Sequence, residues 1–188
     1  MKELPIIGGK LALICAVAAI TLGIVNAVTE PVIEMRRQQD LENALQALME
    51  GNIGVKEEVD SDSVVQGFYP ISDDFGDLQG VILDMTGNGY AGDMRILAAY
   101  NGEGEILSAQ LMENQETPGL GKEAEAPEYM EMFVGTGGDV PVPTSKAMLP
   151  PEDADAISGA SITFMGIGNA LESGSEYVKN NLEDRFYD

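Results

Sequence analysis

The sequence predicts an α+β protein in which a single N-terminal transmembrane helix precedes one domain with an antiparallel sheet and flanking helices. An apolar segment lies near the N-terminus, four β-like runs follow at turn-rich spacing, and a helical segment with an apolar stripe lies near the C-terminus. We place the transmembrane anchor at residues 1–34, a linker helix and connection at 35–62, and the domain at 63–188.

The first segment is long and apolar enough to cross a bilayer. Residues 11–28 contain only Thr21 and Asn26 as polar interruptions. With residues 6–9, the stretch reaches the length of about 20 residues that spans the hydrocarbon core as a helix. A cleaved signal peptide is the alternative, but the segment is long for one and residues 26–28 are a poor small-x-small cleavage site. We therefore expect an uncleaved anchor, whose flanking charges nearly balance and encode no orientation.

The region after the anchor is predicted to be helical and then to open into a connection. Pro31 is expected to close or kink the first helix. Leucines at helical spacing in residues 35–49 indicate a second helical stretch that leads to the domain. Gly51 and Gly54 end this stretch, and the acidic residues 57–62 are expected to form a solvated connection.

Four β-like runs, separated by Gly-, Asp- and Asn-rich turns, predict an antiparallel meander. They cover residues 64–69, 78–85, 94–100 and 105–113, and the Asn-Gly-Glu-Gly at 101–104 is a hairpin signal. Residues 87–92 spell the G-x-G-x-x-G of a dinucleotide-binding turn. That fingerprint requires a helix directly afterwards, whereas here another β-like run follows. We interpret these glycines as a turn.

The remainder of the sheet-forming half leads into short and irregular segments. Residues 127–133 predict a short helix with Met130 and Phe133 pointing inward. The Gly- and Pro-rich residues 135–151 predict a long connection, in which residues 140–143 form an edge strand.

Composition excludes several classes of function. Ten basic residues against 32 acidic ones give a formal charge of −22, which argues against nucleic-acid binding, because phosphate contacts require Lys and Arg. The acidity fits solubility or adaptation to a saline medium. The chain has no His, which excludes His-based catalysis and His metal sites, and its single Cys15 excludes an intrachain disulfide. Redox chemistry therefore requires a bound cofactor.

A final helix is predicted over residues 163–180, with Gly174 as a bending point. Residues 155–163, Asp-Ala-Ile-Ser-Gly-Ala-Ser-Ile-Thr, lead into it and combine small residues with hydroxyls. The first amides of a helix lack partners and the dipole there is positive, so an anion gains hydrogen bonds and a favourable field. We interpret the segment as a phosphate site; the alternative is a helix cap and a tight turn.

The apolar stripe of the final helix consists of Phe164, Ile167, Leu171, Val178 and Leu182.

Two motifs carry a resemblance to a known family. The Asp-x-x-Ser-Gly-Ala-Ser of residues 155–161 resembles the flavin-attachment motif Asp-x-x-(Ser/Thr)-Gly-Ala-(Thr/Ser), whose last hydroxyl carries FMN through a phosphodiester bond. The Glu-Thr-Pro-Gly-Leu-Gly of residues 116–121 is typical of the G subunit of Rnf complexes, the membrane-bound ferredoxin:NAD oxidoreductases, and of the related C subunit of the sodium-pumping NADH:quinone reductase. With the anchor, the resemblance to an RnfG-type protein covers most of the chain in the right order, and it implies that the domain binds FMN.

By this resemblance, Ser161 carries the covalent FMN. Serine stands where the family usually has threonine, so Thr163 becomes a competing attachment residue. Asp155 is implied to serve recognition by the flavin transferase, the separate enzyme that attaches FMN. The other residues expected around the phosphate are Ser158, Gly159 and Ala160.

The second motif is implied to form a wall against the flavin ring, with Leu120 on the isoalloxazine face and Thr117 and backbone amides at its polar edge. Pro118 and the glycines make such a loop both bent and defined. Backbone amides at 119–121 are expected to tune the flavin, with Lys122 or Lys146 as helpers. The cofactor-binding residues expected from this loop and its surroundings are Glu116, Thr117, Gly119, Leu120, Gly121 and Lys146.

The resemblance implies a membrane-anchored electron carrier within a multi-subunit oxidoreductase and translocase, with no catalytic residue and no metal site of its own. Its partners are other membrane, iron–sulfur and flavin subunits, the flavin transferase and the lipid bilayer, and not nucleic acid. The N-terminus is implied to be cytoplasmic and the domain extracytoplasmic. The alternatives are the quinone-reductase C subunit and a flavin-free membrane-tethered scaffold. Because the anchor carries no buried carboxylate, any ion transport is expected to occur in partner subunits.

Overall fold

The computed structural model describes residues 4–59, 64–157 and 159–187. The chain forms two compact units, Met1–Glu42 and Asn43–Asp188. Helix α1, Leu4–Leu48, accounts for the described part of the first unit and contributes its last turns to the second. Within the described ranges it is the helix long and apolar enough to cross a membrane.

Helix α1 does not end at Pro31, so residues 35–48 continue the first helix and do not form a second one. A proline removes one hydrogen bond from the helical ladder, while the turns on both sides keep theirs, and the helix continues across the defect. The last part of α1 belongs to the second unit, where Ala44, Leu45 and Leu48 are buried. Part of the segment that we predicted as a linker therefore packs as core.

The second unit is built on one antiparallel sheet. The strands are β1 (Asn52–Ile53), β2 (Glu57–Glu58), β3 (Val65–Ser72), β4 (Leu78–Asn88), β5 (Asp93–Tyr100) and β6 (Ile106–Glu113). They lie in the order β1-β3-β4-β5-β6, and β2 pairs with β3. The predicted meander is confirmed: strands β3 to β6 follow one another in sequence and pair with their neighbours.

The connection before the meander is more ordered than we predicted. Strands β1 and β2 both pair with β3, so residues 57–58 are part of the sheet and not of a solvated connection. Two-residue strands show no periodicity in a sequence, and they form here because the edge of β3 offers unpaired backbone groups. Residues 60–63 lie outside the described part of the chain.

Both predicted turns of the meander are confirmed. Between β4 and β5 the Gly89 amide donates to the Gly92 carbonyl at 2.9 Å, and a strand follows, so the glycine pattern is a turn and not a dinucleotide fingerprint. Between β5 and β6 the Asn101 side chain accepts hydrogen bonds from the amides of Glu103 and Glu105. Gly104 closes this hairpin in the left-handed region with a φ of 80°.

Helices and 3-10 turns pack against the strands of the sheet. The short helix predicted at residues 127–133 is confirmed, and Met130 and Phe133 are buried. The edge strand predicted at 140–143 is wrong: only Val140 forms a single bridge, to Gly137, since prolines at 141 and 143 cannot donate to a ladder. The helices are α2 (Pro127–Met130), α3 (Pro151–Ala156), α4 (Ser161–Asn181) and α5 (Glu183–Tyr187), and the 3-10 turns are Gly121–Glu125, Glu131–Phe133 and Lys146–Met148.

Helix α4 packs on β4 and β5 and forms the core with them. Its predicted apolar stripe is confirmed as buried, and the helix runs through Gly174 without interruption. Small residues permit α4 to approach β4 closely, because a Cβ at Gly166 would overlap the Asn88 carbonyl oxygen. The Tyr100 hydroxyl donates to the Leu171 carbonyl at 3.0 Å. This packing fixes the start of α4 beside the end of β4.

Candidate functional site

A cavity of about 410 Å³ opens where three segments meet: the β4–β5 turn, the loop at 116–121 and the start of α4. Both sequence motifs contribute to its wall, although they are distant in sequence. Ligand pockets commonly fall between about 300 and 1,000 Å³, so the cavity has the size of a small-molecule site. Its lining residues are Tyr90, Glu116, Thr117, Leu120, Gly121, Gly159, Ala160, Ser161, Ile162 and Thr163.

Ser161 is the first residue of α4, and its side chain is exposed at the cavity. Ala160 is the N-cap, and no side chain caps this helix end. The Phe164 amide donates to the Ala160 carbonyl at 3.0 Å. The amides of residues 161–163 precede this first helical hydrogen bond, so they have no acceptor within the helix. Uncapped amides at a 21-residue helix suit a phosphate placed next to the Ser161 hydroxyl.

Glu116 joins the three segments that form the cavity. Its side chain is buried, with only 4 % of the residue exposed. Oε1 accepts the Ala91 amide of the β4–β5 turn at 3.0 Å, and Oε2 accepts the Thr163 hydroxyl of α4 at 2.8 Å. Both donors are neutral, so the carboxylate brings a negative charge to the cavity wall.

The glycine at 121 is required by packing. A Cβ there would overlap Glu116 Oε2 and lie 2.7 Å from Thr163 Oγ1. A larger residue would therefore disrupt the hydrogen bond between the Glu116 carboxylate and the Thr163 hydroxyl. Gly119 and Gly159 are favoured for a conformational reason, because their φ values of 76° and 92° lie in the left-handed region. The loop thus needs glycine for close approach at one position and for backbone conformation at another.

The two candidate attachment hydroxyls lie in different environments. Thr163 is 1 % exposed and its hydroxyl is engaged with Glu116. Ser161 is exposed, and no hydrogen bond of its hydroxyl occurs among those of the described residues. Of the two hydroxyls, that of Ser161 is therefore the one accessible from solvent.

Some expected site residues do not line the cavity. Gly119 shapes the loop before Leu120, and Asp155 is exposed on α3. Lys146 begins a 3-10 turn away from the lining residues, and Lys122 forms an ion pair with Glu125 at 3.4 Å. Ser158 lies outside the described residues.

Two lining residues escaped the sequence analysis, Tyr90 and Ile162. Tyr90 belongs to the glycine turn that we interpreted only as a connection, and Ile162 stands between two hydroxyl residues of the attachment motif. An aromatic residue inside a glycine-rich turn is the signal that could have pointed to Tyr90, because such turns otherwise favour small polar residues.

Tyr129 is a further buried group near Glu116. Its hydroxyl finds no hydrogen-bond partner in the described part of the chain, and its ring packs edge-on against Phe164 with the centroids 6.3 Å apart. Burial, and to a smaller extent the negative charge of Glu116, raise the pKa of Tyr129 far above its ordinary value. The phenol therefore stays protonated and adds no negative charge beside Glu116.

Comparison with known proteins agrees with this geometry. A family model described as the FMN-binding domain matches residues 89–176, a range that begins at the β4–β5 turn and includes every lining residue of the cavity. The G subunit of the ion-translocating oxidoreductase complex of Methanosarcina acetivorans is 28 % identical over 184 residues, which cover 94 % of this chain and 95 % of the relative. The corresponding G subunit from Cereibacter sphaeroides is also 28 % identical, over 92 % of this chain and 84 % of the relative.

Among solved structures, the crystal structure of NqrC from Shewanella oneidensis is similar to this fold. The TM-score is 0.52 with 22 % sequence identity, and the match covers 69 % of each chain. At this identity the likeness concerns the fold, an antiparallel sheet with helices packed on it.

Proposed function

We infer that this chain, a homologue of the G subunits of ion-translocating oxidoreductase complexes with an FMN-binding domain at residues 89–176, is the membrane-anchored electron-transfer subunit of an Rnf-type complex. The observation that carries this inference is the convergence of two distant motifs on one cavity at an uncapped helix start. FMN, when bound, supplies the redox chemistry. The residues of this chain hold the cofactor, position it and set the charge around it.

We propose that FMN is attached covalently, through a phosphodiester bond to the Ser161 oxygen. In this step the Ser161 hydroxyl gives its proton to a base of the transferase, and its oxygen bonds to the flavin-side phosphorus of a flavin dinucleotide. The pyrophosphate P–O bond breaks, and a nucleoside monophosphate leaves. The exposure of Ser161 and the engagement of the Thr163 hydroxyl with Glu116 support Ser161 over Thr163. The uncapped amides of the first turn of α4 can receive the remaining phosphate oxygens.

The 116–121 loop is proposed to set the electrostatics around the flavin ring. The amides of Leu120 and Lys122 already donate to the Thr117 carbonyl, at 3.1 and 3.3 Å. Of Gly119 and Gly121, whose amides remain, Gly121 lines the cavity, so its amide is the proposed donor for the polar edge of the ring. The Glu116 carboxylate acts in the opposite direction, because a nearby negative charge disfavours the additional charge of a reduced flavin.

The remaining parts of the proposal concern topology and partners. We propose that α1 crosses the membrane with its N-terminus in the cytoplasm, so that the domain lies on the extracytoplasmic side. Other subunits of the complex exchange electrons with the flavin, and a flavin transferase matures the protein. Coupling to ion transport takes place in those subunits, since residues 11–28 carry no ionisable carboxylate.

The test is the chemistry of the purified full-length chain after co-expression with a flavin transferase. We expect a fluorescent band on a denaturing gel and a mass increased by one FMN. Trypsin releases residues 147–179, which contain both candidate hydroxyls, so fragment spectra must locate the modification. A Ser161→Ala protein should lack the band, and Thr163→Ser, which keeps the hydroxyl, should retain it. FMN on Thr163 would contradict the attachment site, and a bare polypeptide would support the flavin-free scaffold.

A further inference from the structure

The cavity presents one aromatic side chain among its lining residues, Tyr90. Tyr90 is 73 % exposed, although an aromatic ring is usually buried in a folded domain. Leu120 and Ile162, from the other two segments of the wall, are also exposed, by 45 % and 52 %. The cavity rim therefore offers apolar surface from all three segments.

Although exposed, Tyr90 is carried by a fixed segment. On its N-terminal side, Gly89 donates its amide to the Gly92 carbonyl at 2.9 Å, and a Cβ at Gly89 would overlap Glu116 Oε1. On its C-terminal side, the Ala91 amide donates to the same Oε1 at 3.0 Å. Both neighbours of Tyr90 thus contact one buried carboxylate, which holds the turn against the cavity wall.

We propose that Tyr90 contacts the flavin ring and covers one part of it from solvent. This inference rests on the proposed FMN site and assigns a residue that binds the ring, in addition to those that bind the phosphate. A flat aromatic ring in the cavity would give the exposed phenol an offset-stacked or edge-on partner, and such pairs are favoured by the ring quadrupoles. Glu116 is then a positioning residue, because it holds the turn that presents Tyr90.

The contact makes a spectroscopic prediction. A phenol in van der Waals contact with an excited flavin donates an electron to it, and the pair returns to the ground state without emission. We therefore expect the folded flavin-loaded chain to be weakly fluorescent and the denatured chain to be bright. The Tyr90→Leu protein should emit severalfold more than the parent when folded, and equally when denatured.

Tyr90→Phe separates ring contact from electron donation. Phenylalanine keeps the flat ring but is a poor electron donor, so this protein should keep the visible absorption band of the folded parent while its emission rises. Phe75→Leu is the matched control, since Phe75 is 92 % exposed in the turn before β4, whereas Tyr90 follows the end of that strand. It should leave both spectra unchanged.

The outcomes distinguish the two proposals. If the denatured parent carries no flavin, the proposed function fails, and the role of Tyr90 fails with it. If parent and Tyr90→Leu are equally loaded with flavin and equally dim when folded, the proposed function stands and the ring contact is refuted. Unfolding temperatures of all variants verify that emission is compared between folded proteins.

Discussion

The Glu116 carboxylate accepts a hydrogen bond of 2.8 Å from the Thr163 hydroxyl, and both side chains are buried although 47 positions separate them in the sequence. Thr163 lies in the first turn of α4, two residues after Ser161. The bond therefore ties the 116–121 loop to the start of α4, the two segments that we propose to face the flavin ring and its phosphate. With the Ala91 amide on its other oxygen, Glu116 determines the shape of the whole cavity.

Replacing Glu116 should weaken the fold as well as the site. In Glu116→Ala the Thr163 hydroxyl and the Ala91 amide lose their acceptor, and a buried donor without a partner costs about 1–3 kcal/mol. We expect the free energy of unfolding to fall by about that amount, and FMN attachment to fall with it. Chemical denaturation of the full chain in detergent measures the first effect, and in-gel fluorescence the second.

Glu116→Gln separates the hydrogen bonds from the charge. Glutamine keeps an acceptor for the Ala91 amide and can donate to Thr163 Oγ1, so this variant should be more stable than Glu116→Ala. Because it lacks the negative charge, a reduced flavin becomes easier to form, and the midpoint potential of the attached FMN should rise. A potential that is unchanged or lower in Glu116→Gln would refute the electrostatic role of the carboxylate.

Gly121→Ala should be harmful for a steric reason. The new methyl group would overlap Glu116 Oε2, so either the loop or the carboxylate must move and the contact with Thr163 is lost. Overpacking of this kind typically costs about 1–3 kcal/mol. Thermal unfolding and the extent of flavin attachment report the loss.

Gly119→Ala provides the comparison for Gly121→Ala. Gly119 has no atom within 4 Å of its missing Cβ, but its φ of 76° is strained for alanine. We expect a cost of about 1–2 kcal/mol from the backbone alone, with the Glu116–Thr163 bond intact. If Gly119→Ala reduces attachment more than Gly121→Ala, then loop conformation, and not access to Glu116, governs the site.

Much of the sheet was predictable because the relevant signals are local. Runs of β-like residues between turn-rich segments identified β3 to β6, and the Asn-Gly-Glu-Gly at 101–104 identified the hairpin that the Asn101 side chain caps. The short strands β1 and β2 were missed, since they depend on pairing with the edge of β3. Of the two outcomes predicted for Pro31, closure of the helix is wrong, because flanking turns can outweigh one lost hydrogen bond.

The site was only partly predictable for a related reason. The two motifs could be found from residue patterns, and Ser161 could be named from one of them. Glu116 contacts both Ala91 and Thr163 because β4 ends beside the start of α4. Contacts such as that of Gly166 with the Asn88 carbonyl fix this arrangement. An aromatic residue in a glycine-rich turn marks Tyr90 in the sequence, but its position in the cavity wall depends on that same placement.

Acid should destabilise the domain through Asp84. Burial on its own raises the pKa of Asp84, but hydrogen bonds from Arg95 and Lys56 at 2.8–2.9 Å outweigh it, and the pKa lies below its ordinary value of 3.8. A carboxyl with a lower pKa in the folded state contributes stability above the unfolded-state pKa. That contribution is lost as the pH falls below 3.8 and through the folded-state pKa. Denaturation curves at several pH values should show this loss in the parent.

Two variants test the Asp84 linkage. Lys56→Met removes one donor, so the pKa of Asp84 should rise toward its unfolded-state value. The acid-induced loss of stability should then be smaller than in the parent and should be complete at a higher pH. Asp84→Asn leaves two partly exposed cations without their carboxylate and should cost about 1–3 kcal/mol at neutral pH, less than for a fully buried pair. In Asp84→Asn the free energy of unfolding should also fall less steeply as the pH decreases below 3.8. An unchanged pH dependence in Asp84→Asn would assign the acid sensitivity to other carboxyls.

Asp155 should matter for maturation and not for the loaded site. It is exposed on α3 and is not among the residues that line the cavity, so it is accessible to a second protein. Asp155→Asn should therefore reduce the fraction of chains that carry FMN, while the chains that do carry it keep the absorption and emission of the parent. Asp153→Asn on the same short helix is the matched control and should load fully. Full loading of Asp155→Asn, measured by intact mass after limited co-expression with the transferase, would remove Asp155 from the attachment reaction.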